Sequence, residues 1–470
     1  MKLFTTMLFW FVYNFAFAQT VEVKLLNAVK QFGADTQFKH AIFSLYVVDS
    51  KTGKAIFDKN SQVGLAPASS LKVVTSTAAF ELLGKDYRYK TDIAWDENMD
   101  DSTLKGNLLI RASGDPTFGS WRWENTKADT ILKEILVVLK AKNIKTITGN
   151  FILDDSKWST QATPGGWTWE DIGNYYGAGA RGINWHENQY DLFLKPGKNA
   201  GSPVEILRTE PILEAQLVNE LKTGKEGSGD NSIIYLSEEG SFGYVRGTVP
   251  AGVSIFKVSG AMPSASVSFN SNLRTFLWNN NVRLIGKSKS AVLYFSGNEK
   301  IPLVPKILLS IFSPPLDSIN YWFLQKSVNL FGEAFVKTMA FEKTGFGSTE
   351  AGIDIIKDLW SKKGIEPSAL NMIDGSGLSP ANRVTTNALV TVMQYAKKQN
   401  WFASFYNALP EQNGIKMKSG YIGGVRSYTG YIKSKTGAEY TFAFIINNFD
   451  GSPGTVREKM WKLLDILKAP

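Results

Sequence analysis

The stretch Pro67-Ala68-Ser69-Ser70-Leu71-Lys72 places a serine and a lysine three positions apart, at the start of a predicted helix that runs to Leu83. At this spacing the two side chains share one face of a helix, and the helix N-terminus brings backbone N–H groups near the serine. Burial and a second cation lower the pKa of a lysine, which can then take the serine proton. An N-cap serine followed by a surface lysine would look the same, so the interpretation needs partners elsewhere in the chain.

Composition narrows the chemistry available to this chain. It has 470 residues with 43% hydrophobic content, which fits about three domains or one domain with a large insertion. The net charge of +9 is spread along the chain and disfavours a dedicated nucleic-acid binder. The absence of cysteine excludes disulfides, thiolate metal sites and a cysteine nucleophile, and two histidines are too few for a multi-histidine metal site. A Ser-His-Asp triad would have to use His40 or His186.

The N-terminal sequence has the features of a cleavable secretory signal peptide. Lys2 precedes an uncharged run through residues 3–21, and Ala16-Phe17-Ala18 has the small-x-small pattern of a signal peptidase site. We predict residues 1–18 as the signal peptide. The alternative is an uncleaved membrane anchor, which would need about 20 mostly apolar residues and is weakened by polar positions in this run. No later segment is long and apolar enough to span a membrane.

The remainder of the chain predicts one α/β domain formed by both ends and interrupted by an insertion. Between residues 90 and 300, short strands alternate with turns rich in glycine and tryptophan, and residues 224–232 form a polar loop. The ends predict longer elements. These are a hairpin at 41–60, a strand at 307–312, a long helix at 316–341, a helix at 351–363, strands at 421–432 and 440–447, and a closing helix at 456–468.

Two further motifs supply partners for Ser69 and Lys72. Ser327-Val328-Asn329 offers a second hydroxyl and an amide, and a third motif should place a cation on a strand beside the nucleophile. Four segments match Lys-Thr-Gly literally, and we reject all four as that motif because of where we place them. They lie in a hairpin turn (51–53), a polar loop (222–224), a helix end (343–345) and the tip of the last hairpin (435–437). Lys418-Ser419-Gly420 leads into a predicted strand and is preferred.

At these residues the sequence resembles the serine D-Ala-D-Ala carboxypeptidase/endopeptidases, the class C low-molecular-mass penicillin-binding proteins. The resemblance covers nearly the whole mature chain. Further segments that carry it are 65–69, 113–117 (Ser-Gly-Asp-Pro-Thr), 173–179 (Gly-Asn-Tyr-Tyr-Gly-Ala-Gly), 313–316 and 374–379 (Asp-Gly-Ser-Gly-Leu-Ser).

The resemblance implies an α/β (α+β) fold with a penicilloyl-serine-transferase, β-lactamase-like domain, in which an antiparallel sheet is flanked by helices. Residues 19–90 and 300–470 would form this catalytic domain, and residues 91–299 a mainly β insertion of two small domains. The implied location is the periplasm, in agreement with the signal peptide.

The resemblance also implies roles for individual residues. Ser69 would be the nucleophile that forms the acyl-enzyme, and Lys72 its general base. Ser327 would relay a proton to the leaving amine, and Asn329 would hold the substrate amide. Lys418 would keep Lys72 deprotonated and attract the terminal carboxylate of the substrate.

The third motif and one acidic residue complete the implied site. Ser419, where threonine is more usual in the family, would hydrogen-bond the carboxylate, and Gly420 follows it. The backbone N–H groups of Ser69 and Tyr421 would form the oxyanion hole. Asp154 matches an acidic position near the amino end of the stem peptide, although an aspartate after a strand usually caps backbone N–H groups.

The implied substrates are the D-alanyl-D-amino-acid bonds of peptidoglycan stem peptides and of their cross-links, and β-lactams would be covalent inhibitors. No metal or organic cofactor is needed. The balance between carboxypeptidase and endopeptidase action stays open. Two alternatives also stay open: a β-lactamase or esterase on the same catalytic groups, and a non-catalytic wall-binding scaffold that keeps the fold.

Overall fold

The computed structural model describes residues 20–469, so the predicted signal peptide lies outside the described residues. The helices of the described part are α1 (Val21–Gly33), α2 (Lys72–Leu82), α3 (Ala128–Ala141), α4 (Trp169–Ile172), α5 (Ala265–Asn279), α6 (Ala291–Ser296), α7 (Leu316–Gln325), α8 (Asn329–Thr344), α9 (Thr349–Lys362), α10 (Thr386–Ala396), α11 (Phe402–Ala408) and α12 (Pro453–Lys468).

Its strands are β1 (Ile42–Asp49), β2 (Ala55–Lys59), β3 (Lys90–Trp95), β4 (Met99–Asp100), β5 (Thr103–Leu104), β6 (Leu108–Arg111), β7 (Thr146–Ile147), β8 (Phe151–Asp154), β9 (Gln189–Lys195), β10 (Glu205–Glu210), β11 (Gln216–Asn219), β12 (Lys222–Gly224), β13 (Asn231–Tyr235), β14 (Phe242–Pro250), β15 (Phe256–Ala261), β16 (Arg283–Leu284), β17 (Ser288–Ser290), β18 (Lys306–Phe312), β19 (Leu370–Asn371), β20 (Arg383–Val384), β21 (Glu411–Gln412), β22 (Ile415–Ile422), β23 (Val425–Lys433) and β24 (Glu439–Asn447).

A six-stranded antiparallel sheet, in the order β2-β1-β24-β23-β22-β21, joins the two ends of the chain. Its central strands are rich in β-branched and aromatic residues, and β24 is buried on both faces from Tyr440 to Ile446. One face packs against α1 and α12, and the other against α2 and α7–α10. The predicted α/β fold, with an antiparallel sheet flanked by helices, is therefore confirmed.

The middle of the chain forms smaller sheets with hydrophobic cores of their own. The order β17-β8-β6-β3-β18 makes a five-stranded sheet that packs against α3 and α5. A second hydrophobic core is formed by residues between 190 and 262. They come from the sheet β10-β9-β15, from the sheet β11-β14-β12 and from β13. Because β18 follows residue 300 yet pairs with β3, the described middle sheet extends past that position. The domain boundaries stay a prediction.

The long helix predicted over 316–341 is wrong, because the chain breaks between α7 and α8 at residues 326–328. Ser327 there has a φ of +57°, which is left-handed and cannot continue a right-handed helix. Both helices bury apolar faces in the same core, so hydrophobic periodicity runs through the break and conceals it.

Two smaller expectations also differ from the structure. The strand predicted over 421–432 is two strands, β22 and β23, joined by a turn in which Gly424 has a φ of +68°. Lys222-Thr223-Gly224 lies in strand β12, with Thr223 buried, and not in a polar loop. Among residues 20–469, no helix has the length and apolarity needed to cross a bilayer.

Candidate active site

Ser69 and Lys72 lie where the chain enters α2. Residues 68–71 form a 3₁₀ turn and α2 begins at Lys72, so the predicted helix start at Ser69 is one tight turn early. Ala68 precedes the serine with a φ of +45°, an uncommon conformation for a residue with a Cβ. Nζ of Lys72 donates to Oγ of Ser69 at 2.9 Å, so the structure brings the predicted pair into contact.

The amine of Lys72 is fully buried among oxygen acceptors. Besides Ser69, it donates to Oδ1 of Asn329 at 2.6 Å and to the carbonyl of Ser376 at 2.7 Å. Burial, followed by the positive charge of Lys418, holds the pKa of Lys72 well below its ordinary value of 10.5. A neutral amine is therefore accessible next to the serine hydroxyl.

The break between α7 and α8 presents Ser327 and Asn329 to the same place. Ser327, Asn329 and Ser69 all line one cleft, which has a volume of about 930 Å³. The amide of Asn329 is held at both ends, because its Nδ2 donates to the carbonyl of Tyr176 at 2.8 Å and its Oδ1 accepts from Lys72. The left-handed conformation of Ser327 is the kind of local strain that concentrates at functional sites.

Strand β22 forms the opposite wall. Lys418 lies in the interior of this strand and is buried, and burial lowers its pKa to about 7. Ser419 accepts a hydrogen bond from Gln412 at 3.0 Å. A Cβ on Gly420 would lie 2.7 Å from both the Ser69 nitrogen and the Pro67 carbonyl oxygen, so only glycine allows this approach. Tyr421, which is half exposed, lines the cleft beside it.

The segment Asp374–Ser379 is a part of the site to which sequence reasoning gave no role. Asp374 is buried and accepts hydrogen bonds from the backbone N–H groups of Gly377 at 2.7 Å and Ser379 at 2.6 Å. These bonds shape the loop that offers the Ser376 carbonyl to Lys72. An aspartate in a stretch rich in glycine and serine indicates a loop, but it does not predict the conformation of that loop.

Glu333 is a second residue that sequence reasoning missed. It lies one helical turn after Asn329 on α8, is fully buried, and accepts from the Gly375 N–H at 3.0 Å. Burial and then the charge of Asp374 raise its pKa above the ordinary 4.5, against the lowering influence of Lys72. The spacing of four from Asn329 was the signal that could have identified it.

The middle of the chain completes the cleft. Tyr176 supplies the carbonyl that orients Asn329, and Nε1 of Trp167 donates to Asp374 at 2.8 Å. The middle segment also lines the cleft with Arg122, Thr168, Glu170, Asp171, Tyr175, Gln189 and Ser259. The cleft is thus shared between the six-stranded unit and the segment predicted as an insertion.

Other candidates lie elsewhere. Asp154 ends β8, where it accepts from the N–H of Ser156 at 3.2 Å and from its hydroxyl at 2.6 Å, as a capping aspartate does. Neither Asp154 nor a histidine is among the described residues that line the cleft. His186 instead packs its ring 5.0 Å from that of Trp121.

A serine hydroxyl in contact with a buried lysine amine, beside an antiparallel sheet that carries a second buried lysine, is the arrangement of a serine hydrolase in which a lysine replaces histidine. Residues 25–467 match the D-Ala-D-Ala carboxypeptidase 3 (S13) family, and the chain belongs to it. The protein is a serine-type D-Ala-D-Ala carboxypeptidase that acts on peptidoglycan, and the resemblance seen in the sequence is confirmed.

Individual relatives agree with the family. The D-alanyl-D-alanine carboxypeptidase of Actinomadura sp. (strain R39) is 24% identical over 455 residues, covering 89% of this chain and 80% of the relative. DacB of Haemophilus influenzae is 23% identical over 427 residues, covering 86% and 84%. The crystal structure of penicillin binding protein 4 (dacB) from Haemophilus influenzae superposes with a TM-score of 0.80 at 19% identity, covering 96% of this chain and 100% of that one.

Proposed function

We propose that this enzyme cleaves D-alanyl-D-alanine bonds of stem peptides through an acyl-enzyme on Ser69, with Lys72 as general base. The observation that carries the proposal is the contact of 2.9 Å between Nζ of Lys72 and Oγ of Ser69 inside a fully buried lysine environment. A neutral amine has two N–H groups, and the Asn329 and Ser376 oxygens accept two. In this neutral state the hydrogen bond between the two residues reverses, and the hydroxyl of Ser69 donates to the lone pair of Nζ.

In the first half of the reaction, Oγ of Ser69 attacks the carbonyl carbon while its proton passes to Nζ of Lys72. The oxygen of the tetrahedral intermediate would be bound by the N–H groups of Ser69 and Tyr421, and Gly420 lets β22 lie close to the Ser69 nitrogen. Collapse breaks the C–N bond, and the proton reaches the leaving D-alanine amine through Ser327. Water then hydrolyses the ester and restores the free serine.

The remaining polar groups would recognise the substrate. Lys418 supplies positive potential for the terminal carboxylate and Ser419 a hydroxyl, while Asn329, held at both ends, presents its amide to the peptide. The role of Asp154 near the amino end of the stem stays a prediction, since its described contacts are local.

The same groups would react with β-lactams, because the lactam carbonyl places a strained amide where the peptide carbonyl lies. In support, a relative from Haemophilus influenzae with a TM-score of 0.75 and 18% identity is described as complexed with a novel β-lactam. We include hydrolysis of cross-links in the proposal, because the cleft volume of about 930 Å³ lies near the upper end of the range of ligand pockets.

Location and domain organisation complete the proposal. Removal of residues 1–18 and export to the periplasm are supported by the signal-like N-terminus and by the peptidoglycan substrate of the family. A catalytic unit of residues 19–90 and 300–470 with an insertion of two small domains is supported by the separate hydrophobic cores.

Intact-mass spectrometry after brief exposure to penicillin G tests the nucleophile. We expect one persistent penicilloyl adduct on the wild type and none on Ser69→Ala. Rapid drug turnover without an adduct would point to the β-lactamase alternative, and absence of both would point to the scaffold alternative.

Release of D-alanine from a pentapeptide ending in D-Ala-D-Ala, compared with cleavage of purified cross-linked dimers, tests the peptide specificity. We expect both activities to be lost in Ser69→Ala. Undiminished D-alanine release from that variant contradicts the proposal.

A further inference from the structure

A row of aromatic side chains lies on the outer face of the sheet formed by β11–β14. Phe242 and Tyr244 occupy alternate positions of β14, so they share a face, and their ring centroids are 5.5 Å apart. Tyr235 of β13 lies directly opposite Tyr244 in the antiparallel pair. The guanidinium of Arg246 lies 5.2 Å from the ring of Tyr235 and 4.7 Å from that of Tyr244, which joins the two rings.

Trp169 extends this row to the catalytic cleft. Its ring centroid lies 6.2 Å from that of Tyr235, while its neighbours Thr168 and Glu170 line the cleft itself. We call Trp169, Tyr235, Tyr244 and Phe242 the aromatic row.

The short helix α4 that carries Trp169 is fixed tightly to β13. A Cβ on Gly173, just after α4, would meet the Ile234 carbonyl oxygen at 2.1 Å, and Oδ1 of Asn174 accepts from the Ile234 N–H at 3.2 Å. The position of the row relative to the cleft is therefore set by backbone contacts and not by a loose loop.

The two ends of the aromatic row are the most accessible, with Trp169 51% and Phe242 50% exposed. Single exposed apolar residues need no explanation, but a contiguous row leading out of an enzyme cleft indicates a binding surface. Aromatic faces carry negative charge density and attract the C–H groups of a sugar ring. The sugar hydroxyls remain free at the ring edge for polar partners such as the pair of Arg246 and Glu220, which are 2.7 Å apart. In peptidoglycan, the polymer that continues beyond a stem peptide is a glycan.

We propose that the aromatic row binds the glycan strand whose stem peptide occupies the cleft. This inference rests on the proposed function, since the peptide in the cleft determines which polymer reaches the row. The row would raise the effective concentration of stem peptides attached to glycan and would not act on the bond that is cleaved.

Two substrates with the same scissile bond test the inference: a free pentapeptide and uncross-linked glycan strands that carry the same pentapeptide. We expect Trp169→Ala and Phe242→Ala each to lower kcat/KM on the glycan-linked substrate about tenfold, which corresponds to about 1.4 kcal/mol. On the free peptide both variants should stay within about twofold of the wild type. Trp278→Ala, which removes a tryptophan of α5 that is 62% exposed and outside the row, is the matched control and should alter neither rate.

Phe242→Ala is the decisive variant, because Phe242 lies at the end of the row away from Trp169 and does not line the cleft. Equal losses on both substrates, or unchanged rates on the glycan-linked one, would overturn the inference.

Cosedimentation with glycan strands stripped of stem peptides separates this inference from the proposed function. We expect wild type and Ser69→Ala to bind these strands equally and the double variant of Trp169 and Phe242 to lose binding. Binding of wild type without D-alanine release from free peptide would defeat only the proposed function. Peptide hydrolysis without glycan binding would defeat only the glycan site.

Discussion

At the scale of single residues, the proposed mechanism needs two buried lysines in different protonation states. Lys72 must be neutral to accept the serine proton, and its pKa is lowered by burial and by Lys418. Lys418 must be charged to attract a carboxylate, yet burial lowers its pKa to about 7. Each requirement restricts the pH range of activity from one side.

The pH profile of kcat/KM should therefore be bell-shaped for a peptide with a free terminal carboxylate. The acidic limb follows deprotonation of Lys72, and the alkaline limb begins near pH 7, where free-enzyme Lys418 loses its charge. Steady-state rates across the pH range check this. A peptide that ends in a C-terminal amide has no carboxylate for Lys418, so its alkaline limb should be absent. An identical limb for both peptides would contradict the assignment.

A second prediction at this scale concerns the buried residue Glu333. Burial and then the charge of Asp374 raise its pKa above 4.5. Lys72 acts in the opposite direction, and Lys337 also faces the carboxyl with a positive charge. A raised carboxyl pKa means that the folded state binds the proton more tightly than the unfolded chain. The stabilisation that this carboxyl gives to the folded state is present below pH 4.5, and it declines as the pH rises through the pKa of the folded state.

Glu333→Gln keeps an acceptor for the Gly375 N–H but has no proton to lose. We expect the Tm of the variant relative to wild type to increase between about pH 5 and pH 8. Thermal unfolding at both values is the measurement. Glu342→Gln, on the exposed part of the same helix, is the control for the effect of the exchange itself. A pH-independent difference for Glu333→Gln would show that the carboxyl is not protonated in the folded state.

At the scale of elements, the contact between β22 and the turn before α2 brings together the two segments proposed to form the oxyanion hole. Gly420 is the contact point, since its missing Cβ makes room for the Pro67 carbonyl and the Ser69 nitrogen. The hydroxyl of Ser427 on β23 also binds this turn, because it donates a hydrogen bond to the Pro67 carbonyl.

Gly420→Ala should push β22 away from the nucleophile turn and weaken the donor geometry for the oxyanion. We expect the rate of acylation to fall about 100-fold, the typical effect of losing one such donor. Labelling kinetics with a fluorescent penicillin measure this. Gly165→Ala is the matched control, since a Cβ there meets nothing within 4 Å and Gly165 is not among the cleft-lining residues, and it should acylate at the wild-type rate. A Gly420→Ala rate within threefold of wild type would contradict the role of this contact.

At the scale of the whole molecule, α8 connects the six-stranded unit to the middle of the chain. Asn329, Glu333 and Lys337 follow one another at spacings of four along its buried face. Nζ of Lys337 donates to the carbonyls of Gln161 at 2.6 Å and Ala180 at 2.8 Å, and burial lowers its pKa to about 8. The middle segment is thus joined to α8 beside the cleft through backbone carbonyls bound to Lys337.

Lys337→Met fills the same space but leaves both carbonyls without their donor. We expect the free energy of unfolding to fall by about 2 kcal/mol, because a buried polar group without a partner costs 1–3 kcal/mol. Denaturant unfolding measures the change. Lys343→Met, at an exposed position of the same helix, should alter stability by less than about 0.5 kcal/mol. Equal effects of the two substitutions would show that the link carries no stability.

The amino-acid sequence by itself predicted the family and the enzyme class of this protein, and both are confirmed. Ser69, Lys72, Ser327, Asn329 and Lys418 could be proposed as catalytic residues because each motif combines particular side chains at short spacings, and such spacings can be found in the sequence alone. The sheet and most flanking helices were predictable for the same reason, since alternation and helical periodicity are local signals.

What only the tertiary structure decided is everything that depends on contacts between distant segments. The break at Ser327, the Ser376 carbonyl that meets Lys72, and the buried Glu333 all arise from packing across the core. So do the Tyr176 carbonyl on Asn329 and the aromatic row beside the cleft. Backbone carbonyls and left-handed turns have no residue signature of their own, because any amino acid carries a carbonyl and packing selects the conformation.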